Sequence, residues 1–171
     1  MLKKRNIAFT GFMGSGKTLL SKEISNIYRL PVCSTDDIIE KEEGTTIQAI
    51  FEEKGEEYFR KVEAKVVEAL SKKKGIIIDC GGGVILNPEN VQNLKNNGII
   101  IYLKSSPESV LKQIKNQGKK RPLLNVDNPL AVIKKMMKDR AAKYEQADFS
   151  VDVAHLSLEE ITAKVRKIID E

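Results

Sequence analysis

Short apolar runs alternate with longer stretches in which apolar residues recur every three or four positions, and the alternation holds along most of the chain. The runs are too short for helices, which predicts strands at Asn6–Thr10, Pro31–Ser34, Gly75–Asp79, Gly98–Leu103 and Phe149–Val153. The periodic stretches predict helices at Lys17–Tyr28, Asp36–Glu43, Thr46–Lys54, Glu56–Lys73, Pro88–Asn96, Pro107–Asn116, Pro129–Gln146 and Ser157–Ile169. Local punctuation agrees. Gly44 and Gly55 are placed as C-terminal caps, Ser106-Pro107 and Asn128-Pro129 as helix starts, and Ser157-Leu158-Glu159-Glu160 as a capping box. Strands separated by helices imply a parallel sheet covered on both faces. The expectation is an α/β three-layer sandwich with a five-stranded parallel sheet, residues 1–171 forming one domain without repeat or linker.

The first strand-to-helix junction carries Gly11-Phe12-Met13-Gly14-Ser15-Gly16-Lys17-Thr18, which reads G-x-x-x-x-G-K-[ST]. Glycines let backbone N–H groups converge on phosphate oxygens, the helix N-terminus adds about half a positive charge, and Lys17 adds a full one. Thr18 can offer its hydroxyl to Mg²⁺. Nucleotide phosphates are therefore expected on Gly14, Ser15, Gly16, Lys17, Thr18 and Leu19.

Composition narrows the partners. The 171 residues are 41% hydrophobic and 31% charged, with no apolar run near the ~20 residues of a membrane span. The basic N-terminus leads into a strand and glycine loop, not an apolar leader core, so a cytoplasmic location is expected. The net charge of +5 comes from basic residues interleaved with acids, the pattern of solvated faces, and the four Tyr and five Phe form no stacking array. A small anionic substrate is expected rather than nucleic acid or membrane, and a monomer. Cys33 and Cys80 are too few for a disulfide framework and are expected to be buried thiols. His155 is the only histidine, which excludes a histidine triad or a multi-histidine metal site.

In a doubly covered parallel sheet, ligands gather beyond the carboxyl ends of the strands. Ser34-Thr35-Asp36-Asp37 follows strand two, and Asp79-Cys80-Gly81-Gly82-Gly83 follows strand three. Asp36 could accept a substrate hydroxyl's proton or could simply cap its helix. Three consecutive glycines point to a ligand pressed against bare backbone, or to a flexible turn. Arg60 and Glu63 share a helix face, as an oriented anion clamp or a solvated pair. The basic segment 118–124 suits a mobile cover that excludes water.

Together these motifs resemble the shikimate kinases, a family in the nucleoside-monophosphate-kinase-like branch of P-loop proteins. The matching stretches are 11–18, T-D-x-x-I-E at 35–40, F-R-x-x-E at 59–63, G-G-G at 81–83, R-P-L-L at 121–124 and R-x-x-x-Y at 140–144, in family order. The resemblance implies a P-loop kinase fold with a substrate-binding segment at about 35–63 and a mobile lid at about 116–126. It implies MgATP-dependent phosphorylation of the shikimate 3-hydroxyl. Lys17 would contact the transferring phosphates, Thr18 would ligate Mg²⁺, and Asp36 would bind the acceptor hydroxyls and assist deprotonation. Arg60 and Arg140 would hold the shikimate carboxylate, Gly81, Gly82 and Gly83 would line the acceptor, with Gly82 touching it through backbone, and Arg121 would be the lid arginine.

Three departures stand out. The family pattern has an aspartate where this chain has Ser34, and a small hydroxyl residue where it has Asp79. An aspartate ending an apolar strand beside a phosphate loop is a magnesium partner in P-loop proteins generally. The two changes are therefore expected to compensate, the alternative being that Asp79 only caps its strand. Around the adenine, Ile114 and Leu158 are expected where the family carries Arg and Pro, with Lys115 adjacent. The rivals are another small-metabolite kinase such as a gluconate kinase, a GTPase switch suggested by Asp79-Cys80-Gly81-Gly82, and a catalytically silent homologue.

Overall fold

The computed structural model describes residues 5–116 and 126–171. Five parallel strands form one sheet: β1 (Asn6–Thr10), β2 (Val32–Ser34), β3 (Ile77–Asp79), β4 (Gly98–Lys104) and β5 (Phe149–Asp152), in the order β2-β3-β1-β4-β5. Among the described residues the helices are α1 (Lys17–Tyr28), α2 (Thr35–Glu43), α3 (Ile47–Ser71), α4 (Pro88–Asn97), α5 (Pro107–Asn116), α6 (Pro129–Tyr144) and α7 (Leu158–Asp170), with a 3₁₀ turn at Val84–Leu86. The expected α/β sandwich is what forms. No helix among the described residues is long and apolar enough to cross a membrane.

Strand periodicity sorts the core into two layers. Ile7, Phe9, Ile77, Ile101 and Leu103 face α1 and α7, where Leu20, Ile24, Val165 and Ile169 meet them. Ala8, Ile78, Ile100 and Tyr102 face the other way, against Ile39, Phe59, Val67, Leu94 and Ile133. β1 is buried along its whole length between β3 and β4, so the loop that follows it starts from the rigid centre of the sheet.

The helix boundaries follow local chemistry. Gly44 ends α2 at φ 67°, and Ser157 and Glu160 form the reciprocal capping box. The two helices expected on either side of Gly55 meet directly within α3, separated as expected by Gly55, which is non-helical at φ 80° and ψ 170°. Glycine has no Cβ to oppose that conformation, so the chain turns there without a loop. β3 begins at Ile77 rather than Gly75, because Gly75 sits at φ 68°, outside extended backbone. Cys80 is buried, as expected, but Cys33 is only partly so, since β2 is an edge strand.

Candidate active site

The loops after β1, β2, β3 and β4 open on the same carboxyl edge of the sheet. Gly16 heads α1 at φ 89° with no side-chain cap, so no capping side chain serves the N–H groups of the first turn. Lys17 is folded back over the loop. Its Nζ donates to the carbonyls of Gly11 at 2.8 Å and Phe12 at 3.1 Å, and it is 9% exposed. Thr18 donates its hydroxyl to Asp79 Oδ2 at 2.7 Å.

A cavity of about 450 Å³ lies beside the loop, walled by Gly14, Ser15, Gly16 and Leu19 on one side and by Lys112, His155 and Leu158 on others. That volume falls in the range of small-molecule sites, about 300–1,000 Å³. Leu19 is 60% exposed into this region, a large apolar side chain with little protein packed on it. Leu158 lines the cavity as expected. Ile114 does not: it is fully buried, its Cγ1 3.4 Å from where a Cβ on Gly14 would stand. It packs beneath the phosphate loop, and Lys112 and Gln113 present the α5 face to the cavity, while Lys115 lies away from it. One helical position separates a buried side chain from a lining one, and periodicity alone could not fix that phase. His155, set aside in the sequence as a lone histidine, stands at the cavity with φ 64° between β5 and α7.

The residues expected to bind the acceptor lie at the ends of β2 and β3 and on α3 and α6. Ser34 caps α2 by accepting the Asp37 N–H at 3.2 Å, so Asp36 stands one residue inside the helix and is not the cap. Thr35 is fully buried, and its hydroxyl accepts the Gly81 N–H at 2.8 Å, pinning the end of β2 to the end of β3. This clamp sets the Asp36 carboxylate directly over Gly81, where any Cβ would strike it. Burial holds the Asp36 carboxyl above the usual carboxylate range; Lys17 opposes the rise and Asp79 adds to it.

Arg60 lies over Gly83 in the same manner. A Cβ at Gly83 would stand 2.6 Å from the guanidinium carbon. Arg60 Nη1 donates to Glu63 Oε1 at 2.7 Å, and Glu63 is 1% exposed, so this is no solvated surface pair. Burial raises the Glu63 carboxyl, while Arg60 pulls it back; Asp36 and Arg140 also act on it. Arg140 reaches in from α6, its guanidinium carbon 5.8 Å from the centroid of the Phe12 ring. Arg60 thus pairs directly with a buried carboxylate whose charge Asp36 and Arg140 also sense.

The glycine triplet meets the protein's own side chains. At Gly81 and Gly83 the space is taken by the protein's own Asp36 and Arg60; Gly82 alone has only ordinary neighbours, 3.7 Å away. Tyr144, quoted in the 140–144 motif without a role, donates its hydroxyl to the Gly82 carbonyl at 2.7 Å and stacks on Tyr102 at 4.8 Å. It fixes the middle glycine through its carbonyl. Arg121 and most of the expected lid lie outside the described residues.

The donor set at Thr18 and Asp79, a hydroxyl and a carboxylate oxygen in contact, suits Mg²⁺. That ion takes hard oxygen ligands and usually one or two carboxylates together with substrate phosphates.

The family model for shikimate kinase matches residues 13–170. The chain is 42% identical over 161 residues to a shikimate kinase of Caldanaerobacter subterraneus, covering 94% of each chain. It is 39% identical over 163 residues to one of Thermoanaerobacter pseudethanolicus, covering 95% of each. Among solved structures it superimposes on the shikimate kinase of Acinetobacter baumannii in complex with shikimate, with TM-score 0.90, 31% identity, and 98% and 94% of the two chains covered. Against the Aquifex aeolicus shikimate kinase the TM-score is 0.81 at 31% identity, covering 96% of each. A deoxyadenosine kinase from M. mycoides with bound dATP shares the fold at 17% identity and TM-score 0.66, covering 97% and 100% of the two chains. With the phosphate loop, the clamped carboxylate and the paired arginine in their places, this protein belongs to the shikimate kinase family.

Proposed function

We propose that this chain transfers the terminal phosphoryl group of ATP to the 3-hydroxyl of shikimate, acting as a cytoplasmic monomer in aromatic amino-acid biosynthesis. The observation that carries the reading is that Asp36 sits over Gly81 and Arg60, paired with buried Glu63, over Gly83, with Arg140 over Phe12 of the loop that Lys17 closes.

The acceptor binds by charge. The shikimate carboxylate meets Arg60 and Arg140, and Arg60 is already oriented by Glu63, so little ordering remains to be done on binding. The ring hydroxyls face Asp36, with the Gly82 backbone against the acceptor. Asp36 takes the proton of the 3-hydroxyl as its oxygen bonds to the terminal phosphorus; the bond to the bridging oxygen breaks, and ADP leaves. A carboxyl whose proton affinity is raised by burial is a better base than an exposed one.

Backbone N–H groups of Gly14, Ser15 and Gly16, with Lys17, hold the phosphates on the loop. Lys17 exchanges its present carbonyl partners, Gly11 and Phe12, for phosphate oxygens. Thr18 and Asp79 would hold Mg²⁺, which when bound supplies neutralisation of the phosphate charge. Leu19 and Leu158 give the base its apolar contacts, and Arg121 belongs to the cover over the phosphates.

The test is ADP release measured with and without shikimate. Release that depends on shikimate, with shikimate 3-phosphate identified as product, is the expected result. Binding of both ligands without turnover would identify a silent homologue, and turnover on gluconate but not shikimate would identify a different kinase.

A further inference from the structure

Ser34 and Asp79 are partners across the β2–β3 ladder, so this one pair closes both strands at the mouth beside the phosphate loop. The two side chains are committed differently. The Ser34 hydroxyl is used by its own helix, accepting the Asp37 N–H as the N-cap of α2. Asp79 is 6% exposed and turned toward α1, where its Oδ2 accepts the Thr18 hydroxyl at 2.7 Å. Thr18 follows Lys17 in the first turn of α1, so a carboxylate and a hydroxyl touch at the end of the helix that faces phosphate. The register brings β3 directly beside β1, with Asp79 opposite Phe9, two residues before the loop begins. Position 34 is one strand further out.

We propose that the divalent cation accompanying the nucleotide is held from β3, by Asp79 with Thr18, and that position 34 takes no part beyond capping α2. Where the resemblance leads one to expect an acid on β2, this chain supplies it on the neighbouring strand. The inference deepens the kinase reading of the same site and rests on it for the identity of the cation. Its test uses neither shikimate nor turnover.

The experiment is calorimetric titration of the full chain with ADP, with and without Mg²⁺, the quantity read being the ratio of the two affinities. Mn²⁺ binding followed by electron paramagnetic resonance gives the same comparison for the metal. In the unaltered protein Mg²⁺ tightens ADP binding. Asp79→Asn is expected to lower that ratio about tenfold or more, the loss typical for a residue that supports a bound metal, and to leave metal-free ADP binding intact. Ser34→Ala leaves the ratio unchanged. The exchange variant Ser34→Asp/Asp79→Ser recovers part of it, because the acid returns to the adjacent position on the ladder.

An Asp79→Asn ratio within twofold of the unaltered protein overturns the proposal, as does an equal loss in Ser34→Ala. If Asp79→Asn does not melt cooperatively, Asp79→Ser decides: a ratio lowered about tenfold or more supports the proposal, and one within twofold of the unaltered protein overturns it. A protein that shows the Asp79-dependent Mg²⁺ effect but no shikimate-dependent ADP release would keep this inference and lose the shikimate reading.

Discussion

The two ends of the site are built on opposite plans. At the nucleotide end, eight consecutive residues from Gly11 to Thr18 make the phosphate loop from backbone, with one lysine and one hydroxyl added. At the acceptor end, Asp36, Arg60, Gly81, Gly83 and Arg140 come from four places along the chain, with Asp36 seated on Gly81 and Arg60 on Gly83 and paired with Glu63. Backbone recognition tolerates side-chain change outside the motif. The acceptor end does not, because loss of Arg60 or Glu63 leaves its partner unsatisfied beside buried protein. Substitutions at the two ends should therefore differ in both size and kind.

The largest effect belongs to Asp36→Asn. Loss of the base is expected to cut kcat by about 10²–10⁴-fold. The same change should raise the melting midpoint at neutral pH. Burial lifts the Asp36 carboxyl, so the folded state holds its proton more tightly than the unfolded chain, and its contribution to stability falls as pH rises through that window. In the unaltered enzyme kcat/KM should fall as pH drops through the Asp36 titration, at higher pH than an ordinary carboxylate. Initial rates across pH, with thermal melts of both proteins, check the two signs together.

Glu63→Ala comes next. Glu63 touches no ligand in this account; it orients Arg60. A hydrogen bond to a charged group contributes about 1.5–3 kcal/mol, so the KM for shikimate should rise roughly ten- to a hundredfold. The KM for ATP and the metal-free ADP affinity should stay within twofold, and equal losses for both substrates would show a merely structural role. Leu158→Ala is the smallest change and falls on the other end. It removes one apolar wall of the nucleotide cavity, so the KM for ATP should rise a few-fold to about tenfold while that for shikimate holds.

The same contrast explains what could be read from the chain before its structure. The phosphate loop is contiguous and its context is local, so residues 11–19 were legible in full. The Arg60–Glu63 pair was legible as a pair, but not as buried, because burial depends on how α3 packs. The glycine triplet was legible as a close approach, yet its occupants at Gly81 and Gly83 are side chains more than twenty residues away. Nothing in the local pattern names them. Thr35 and Tyr144, which fix Gly81 and Gly82, sit inside recognised motifs but act through bonds to distant backbone. Ile114 failed for a simpler reason: one residue of helical phase decides between facing the cavity and filling the core.

The claim that the glycines exist to seat the acceptor-binding side chains is tested most directly by shikimate binding to Gly83→Ala. The added methyl group would stand 2.6 Å from the Arg60 guanidinium carbon and must push it out of place. Calorimetry should find shikimate affinity lowered at least tenfold, with ADP affinity within twofold of the unaltered protein. Shikimate binding unchanged in that variant would contradict the account.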